Sequence, residues 1–247
     1  MKTIYKTSLL TTLSLLFITA CGSASSDAKK VEIKKVAAPA TETVAAAKSE
    51  SMPETKKVES QFEEGKHYVE IFPEMQTDAE PGKVEVIELM WLGCPHCYTL
   101  EPLMLEYKKN HPSYVEFKQV PAMLNPSWSA DANTFYIADL LDPKGEKDLV
   151  NRIFQAIHDQ KRRLRNPDAV NRFFVQQGFT EEQVNSVRNS MAFQAKLKRA
   201  QEISASSQAQ SVPSVIINGK YRTSPYMAGG NDKVMEVLRF LAKEENK

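Results

Sequence analysis

Apolar residues along this chain fall into three rhythms. Leu9 to Ala20 is apolar apart from Thr and Ser and follows Lys2 and Lys6. Residues 22–66 are dominated by Ala, Lys, Glu, Ser, Thr and Val, with Phe62 as their single aromatic. Such a stretch buries too little apolar area to offset the entropy of ordering it, so it reads as a flexible tether. From His67 onward the pattern becomes that of a folded unit. His67–Phe72 and Val84–Met90 are rich in Val, Ile and aromatic residues and predict two strands. Leu100, Leu103, Met104 and Tyr107 recur at helical spacing over Pro95–Asn110, with Pro112 closing the helix. Tyr114–Val120 alternates as a third strand, and a strand–helix–strand crossover makes the flanking strands parallel.

Residues 125–209 contain no convincing strand. Ala130–Leu141, Lys147–Gln160, Asp168–Gln177, Glu181–Asn189 and Ala192–Ala209 predict successive helices, separated at Asp142-Pro143, Asn166-Pro167 and Gly178. Thr180 and Gln183 have capping-box spacing. Strand signals return at Ser214–Ile217 and Lys220–Thr223 around Asn218-Gly219, a two-residue hairpin signal. A last helix starts near Asn231 or Asp232 and places Val234, Val237, Leu238 and Leu241 on one face. The expected fold class is α/β, with an all-helical domain (125–209) inserted between the two parts of a small α/β unit (67–124 and 210–247).

Length and charge then narrow the function. The chain has 247 residues and a net charge of +1, so it lacks the cationic surplus on which nucleic-acid binding depends. Three cysteines, Cys21, Cys94 and Cys97, are too few for a disulfide framework and leave one over from any pairing. Cys21 follows the first apolar run, which has the charged-then-apolar form of a secretory signal over residues 1–20. At 12 residues the run falls short of the roughly 20 that span a bilayer. Its end, Ile18-Thr19-Ala20-Cys21, resembles the bacterial lipobox, which implies a diacylglycerol-bearing Cys21 at the head of a lipidated tether, residues 21–66. Gly22 follows, which leaves inner and outer membrane both open.

Cys94-Pro95-His96-Cys97 lies directly after a predicted strand and opens a predicted helix. Two sulfurs so placed can meet as a disulfide or separate as a dithiol with little backbone movement. The helix N-terminus stabilises a thiolate at Cys94, and His96 adds a positive or polarisable group, so Cys94 is the expected nucleophile. Cys97, one turn deeper, is expected to resolve mixed disulfides. A structural zinc site needs about four ligands, and His67, His111 and His158 are scattered, so no metal is expected. Haem attachment needs His after the second cysteine, where Tyr98 stands. A purely structural disulfide here would close too small a loop to constrain the unfolded chain much.

These four residues between strand and helix, the helical block, and Val212-Pro213 before a strand together resemble the DsbA family of thioredoxin-fold oxidoreductases. The resemblance covers about residues 62–245 and includes the approach Phe62–Tyr68. It implies a thioredoxin-like fold, a cis bond at Val212–Pro213 beside the cysteines, and a Val212 backbone that pairs with an extended substrate. Glu88 matches a buried family acid that moves protons for the resolving cysteine, and Lys118 matches its partner; a surface pair on alternating strands is the alternative. Glu101 matches an acid that tunes the thiolate, or is an exposed helix glutamate. Trp91 and Met123 line a peptide groove or belong to the core. Lys161–Arg165 reads more readily as a solvated basic face than as a lipid-headgroup site.

The activity so implied is insertion of disulfides into unfolded exported proteins at the periplasmic face of a bacterial membrane. The protein would act as a monomer, with no cofactor beyond the Cys94–Cys97 disulfide and with a DsbB-type membrane protein as reoxidant. A reductase or isomerase of the same fold, or a non-catalytic surface lipoprotein, are the alternatives; Pro-His between the cysteines favours the oxidising side, and the tether lacks a dimerisation domain. The lipidation expectation is tested by Cys21→Ser. This change should release the head into soluble fractions and leave the activity of the isolated folded region intact, whereas membrane retention after processing counts against the anchor.

Overall fold

The computed structural model describes residues 61–247; the leader, Cys21 and most of the proposed tether lie outside the described residues. Five strands form one sheet: β1 (Val69–Glu70), β2 (Val84–Met90), β3 (Val115–Pro121), β4 (Ser214–Ile217) and β5 (Tyr221–Thr223). Their spatial order is β1-β5-β4-β2-β3, with β2 and β3 parallel and the other pairs antiparallel. Helix α1 (Pro95–Asn110) makes the crossover from β2 to β3. Five helices follow before β4: α2 (Ser129–Leu141), α3 (Leu149–His158), α4 (Pro167–Gln176), α5 (Glu181–Arg188) and α6 (Met191–Ser206). A single turn, α7 (Pro225–Ala228), and α8 (Asn231–Glu245) complete the chain. This is the expected α/β fold, with a helical block inserted between β3 and β4 of one mixed sheet.

Local chemistry accounts for most boundaries. Pro95 sits in the first turn of α1, where a missing N–H costs nothing. Asn218 and Gly219 take φ of 51° and 66°, the left-handed pair of a two-residue hairpin turn. A Cβ on Gly219 would stand 2.4 Å from the Met75 carbonyl oxygen, so glycine is required there on both counts. Thr180 and Gln183 form the reciprocal capping box of α5.

β2 is buried along all seven residues because strands flank it and helices cover both its faces. On one side Val86, Leu100, Met104, Ile217, Val234 and Leu238 pack α1 and α8 against the sheet. On the other, Ile87, Leu89 and Ile216 share a continuous core with Phe135, Phe154, Phe174 and Ile203 of the helical block. Cys94 and Cys97 belong to this second core. The inserted helices therefore help to build the environment of the two sulfurs.

Three expectations need correction, and one helix is new. The folded unit starts at Phe62, not His67. Phe62 is 4% exposed, its ring meets those of His67 and Phe240, and the Glu63 amide donates to His67 Nδ1 at 3.0 Å. The first strand is two residues long, because Pro73 has no N–H with which to extend pairing. α3 starts at Leu149 and α6 ends at Ser206; Asp148 and Gln208, both at positive φ, set these limits. α7, whose cap Ser224 accepts the Met227 amide, is too short to show a helical period in sequence.

Phe174 has no exposed surface and packs edge-on to Phe173 at 5.2 Å between ring centres. Phe174→Ala should lower unfolding free energy by about 3–5 kcal/mol, read from urea denaturation; a loss under about 1 kcal/mol would contradict a shared tight core.

Candidate active site

β2 delivers the chain to Met90, and α1 begins after four intervening residues. Cys94 is the N-cap residue of α1, in extended conformation, with its amide donating to the Trp91 carbonyl at 2.9 Å. Both cysteines are free thiols; Cys94 is 6% exposed and Cys97 has no exposed surface, while Pro95 and His96 face solvent. The thiol of Cys97 hydrogen-bonds Cys94 and is the largest influence holding Cys94 down, to about 6. Burial opposes this, and the amides of Cys97 and His96 and the His96 charge add to it. Burial and the same hydrogen bond push Cys97 far above the usual thiol range. The pair is thus a stabilised anion beside a protonated partner.

Val212 and Pro213 approach Cys94 from the start of the neighbouring strand, β4. The Val212–Pro213 bond is cis, and Cys94 Sγ lies 3.6 Å from the Val212 carbonyl oxygen. β4 starts at the next residue, Ser214, in antiparallel register with Leu89.

Glu88 and Glu101 are both buried, so neither is the surface glutamate offered as an alternative. The Gln119 side-chain amide donates to Glu88 Oε2 and to Glu101 Oε2, each at 2.9 Å. Burial raises Glu88 from 4.5 to about 7; burial first, then the Glu88 charge, raises Glu101 well above the carboxylate range. The expected Glu88–Lys118 pairing is corrected. Lys118 bridges Glu85 at 2.7 Å and Glu116 at 2.8 Å instead. Strand parity is the reason: β3 registers Lys118 against Ile87 and Gln119 against Glu88, so Lys118 shares the face of Glu85. Gln119 also lines a cavity of about 380 Å³ with Lys108 and Asp148.

Further residues brace the site. Trp91 stacks on Trp128 at 4.5 Å, and its indole N–H donates to Asp131 at 2.7 Å. Arg165, though exposed, bridges Asp131 at 2.9 Å and lies over the Trp91 ring, and the half-buried Arg162 lies over Phe173, so two residues of this largely solvated basic run also make ring contacts. Met123 packs against the core and donates its amide to Ser204. On the opposite flank the rings of Tyr98 and His158 stack.

Comparison with known proteins agrees with this geometry. The family model described as DSBA-like thioredoxin domain matches residues 92–242. The thiol:disulfide interchange protein DsbA of Pseudomonas aeruginosa is 32% identical over 181 residues, 73% of this chain and 84% of that protein. Its namesake from Pseudomonas syringae pv. tomato is 35% identical over 185 residues, 74% and 85%. The crystal structure of Pseudomonas aeruginosa DsbA superposes with a TM-score of 0.70 at 31% identity, covering 74% of this chain and 94% of that one.

The raised Glu88 carboxyl has a stability signature. Its protonated form is preferred in the fold, so its contribution is complete below about pH 4.5 and is lost as pH rises through about 7. Glu88→Gln should therefore gain stability over the unsubstituted protein between pH 5 and pH 8, by up to roughly 3 kcal/mol. Urea denaturation at both pH values checks this, and a pH-independent difference would refute it.

Proposed function

Since this chain belongs to the DsbA-like thioredoxin family and is a thiol:disulfide oxidoreductase, we propose that it works as a dithiol oxidase on exported proteins at the periplasmic face of a bacterial membrane. The observation that carries the direction is the inequality of the two sulfurs, Cys94 held down to about 6 and Cys97 held protonated by burial. A thiolate stabilised in the reduced enzyme favours that form and so makes the disulfide form oxidising; DsbA enzymes are themselves the standard example of this relation.

The cycle starts from the Cys94–Cys97 disulfide. A substrate thiolate attacks Cys94 Sγ, forming a mixed disulfide and breaking the enzyme S–S bond. The electron pair leaves on Cys97, which takes a proton. Glu88 and Glu101 supply a nearby reservoir, since burial keeps a carboxyl proton there to about neutral pH. A second substrate thiolate then attacks the substrate sulfur of the mixed disulfide and expels Cys94 as the stabilised thiolate. The substrate has lost two electrons to the enzyme, which now holds two reduced sulfurs. A DsbB-type membrane protein takes those electrons and restores the disulfide.

Val212 lies against the nucleophile, and pairing through its backbone reads little of a substrate's sequence. This suits a catalyst of many unfolded clients. The Cys21 lipid anchor and the tether of residues 22–61 would keep this head near the membrane that holds its reoxidant.

Two measurements test the function together. Cys97→Ala should accumulate mixed disulfides between Cys94 and exported proteins, and equilibration with glutathione buffers should give a potential well above that of thioredoxin. Absence of trapped partners would point to an inert disulfide in a binding protein. A potential as low as thioredoxin's would make the protein a reductase.

A further inference from the structure

The last turn of α3 grips the redox segment at both of its ends. His158, the final residue of α3, places Nε2 2.8 Å from the carbonyl oxygen of Leu92, two residues before Cys94. A carbonyl only accepts, so Nε2 carries the hydrogen in this contact. The same imidazole lies flat on the ring of Tyr98, the residue after Cys97, with 4.9 Å between ring centres and 9° between planes. Tyr98 in turn donates its hydroxyl to Asp159 Oδ2 at 2.6 Å, and Phe154 closes the cluster from the preceding turn of α3. Leu92 has no exposed surface. If His158 lost its N–H, the Leu92 carbonyl would have to find another donor inside the core or remain unpaired, at a cost comparable to a lost hydrogen bond.

We propose that His158 is a positioning residue of the redox centre, and that its hydrogen bond to Leu92 and its stack on Tyr98 fix the two ends of the Cys94–Cys97 turn. The turn is short and its chemistry depends on alignment. The Cys94 sulfur faces the amides of His96 and Cys97, the Cys94 amide is held by Trp91, and Leu92 is the residue between Trp91 and Gly93. Gly93 lets the Trp91 ring lie directly on the backbone beside this peptide, since a Cβ there would fall 2.4 Å from that ring. Rotation of the Leu92–Gly93 peptide would therefore displace Cys94 relative to the N–H groups of α1. The inserted helical block, through α3, thereby sets how well the thioredoxin part stabilises its thiolate. His158 touches neither sulfur nor substrate; it acts through the backbone.

This inference rests on the reading of Cys94 as the stabilised nucleophile, and the test separates the two. The full chain, reduced, is titrated by its ultraviolet thiolate absorbance as wild type, His158→Met and His158→Gln. Met removes the donor at similar length, while Gln restores an N–H. The Cys94 midpoint should rise by roughly half a pH unit or more in H158M and stay near wild type in H158Q, and in glutathione buffers H158M should retain more of its disulfide form. An unchanged midpoint in H158M overturns the inference, as does an equal rise in H158Q, because then the hydrogen bond is not what acts. A wild-type midpoint in the ordinary thiol range overturns the nucleophile reading itself. Where H158M fails to fold by circular dichroism, nitrogen chemical shifts of the wild-type imidazole decide: an Nε2-protonated ring supports the inference and a neutral ring protonated only at Nδ1 overturns it.

Discussion

One helix N-terminus has to hold two sulfurs in unlike states, and the rest of the fold is arranged around that constraint. A thiolate at Cys94 needs N–H groups and partial access; Cys97, one turn on, must stay protonated while it waits. Burial alone would raise both thiols. What separates them is that Cys94, at the N-cap, accepts hydrogen bonds from the Cys97 thiol and the first amides of α1, while Cys97 lies fully inside the core. The sheet contributes β2, which sets the height of Cys94, and the Val212–Pro213 segment before β4, which faces it.

On the cycle proposed above, the buried carboxyls follow from the same need. A sulfur that leaves as an anion in an apolar core requires a proton close by, yet a free carboxylate there would be far too costly to bury. Two carboxyls sharing one amide donor resolve the conflict. Gln119 supplies a neutral partner to each, where a lysine at that position would lower both carboxyls and remove their protons at neutral pH. Lys118 is kept on the opposite face, bound to Glu85 and Glu116. The charged lysine pairs with the buried Glu85 and the half-buried Glu116, and the neutral amide faces the two raised carboxyls.

The order of elements, the Asn218-Gly219 hairpin, the α5 capping box and Cys94-Pro95-His96-Cys97 are local patterns, and they are legible because each is decided within a few residues. The errors arise where distant residues decide. Pairing Glu88 with Lys118 matches charge to charge, but a parallel register advances both strands together, so one residue of offset selects Gln119. Phe62 looks like part of a polar arm because its partner, Phe240, is at the far end of the chain. His158 stands out in sequence only as a scattered histidine unsuited to metal; its contact with Leu92 spans 66 residues and has no local signature. Trp91 and Asp131 meet in the same way across 40.

These long-range contacts give the helical insertion a physical reason to lie where it does. A loop of this length between β3 and β4 delays closure of the sheet and orders many residues, costs that a passive decoration would not offset. It returns a core that encloses both cysteines and two braces on either flank of the turn. On one flank Asp131 receives the Trp91 indole and the Arg165 guanidinium; on the other, His158 and Asp159 hold Leu92 and Tyr98. Both braces act on residues adjacent to the redox motif, and both originate in the inserted helices or in the loop between two of them. The turn therefore cannot relax independently of the insertion. Its thiolate chemistry is a property of the whole layered structure, with the four-residue motif supplying the reacting atoms and the inserted helices supplying their alignment.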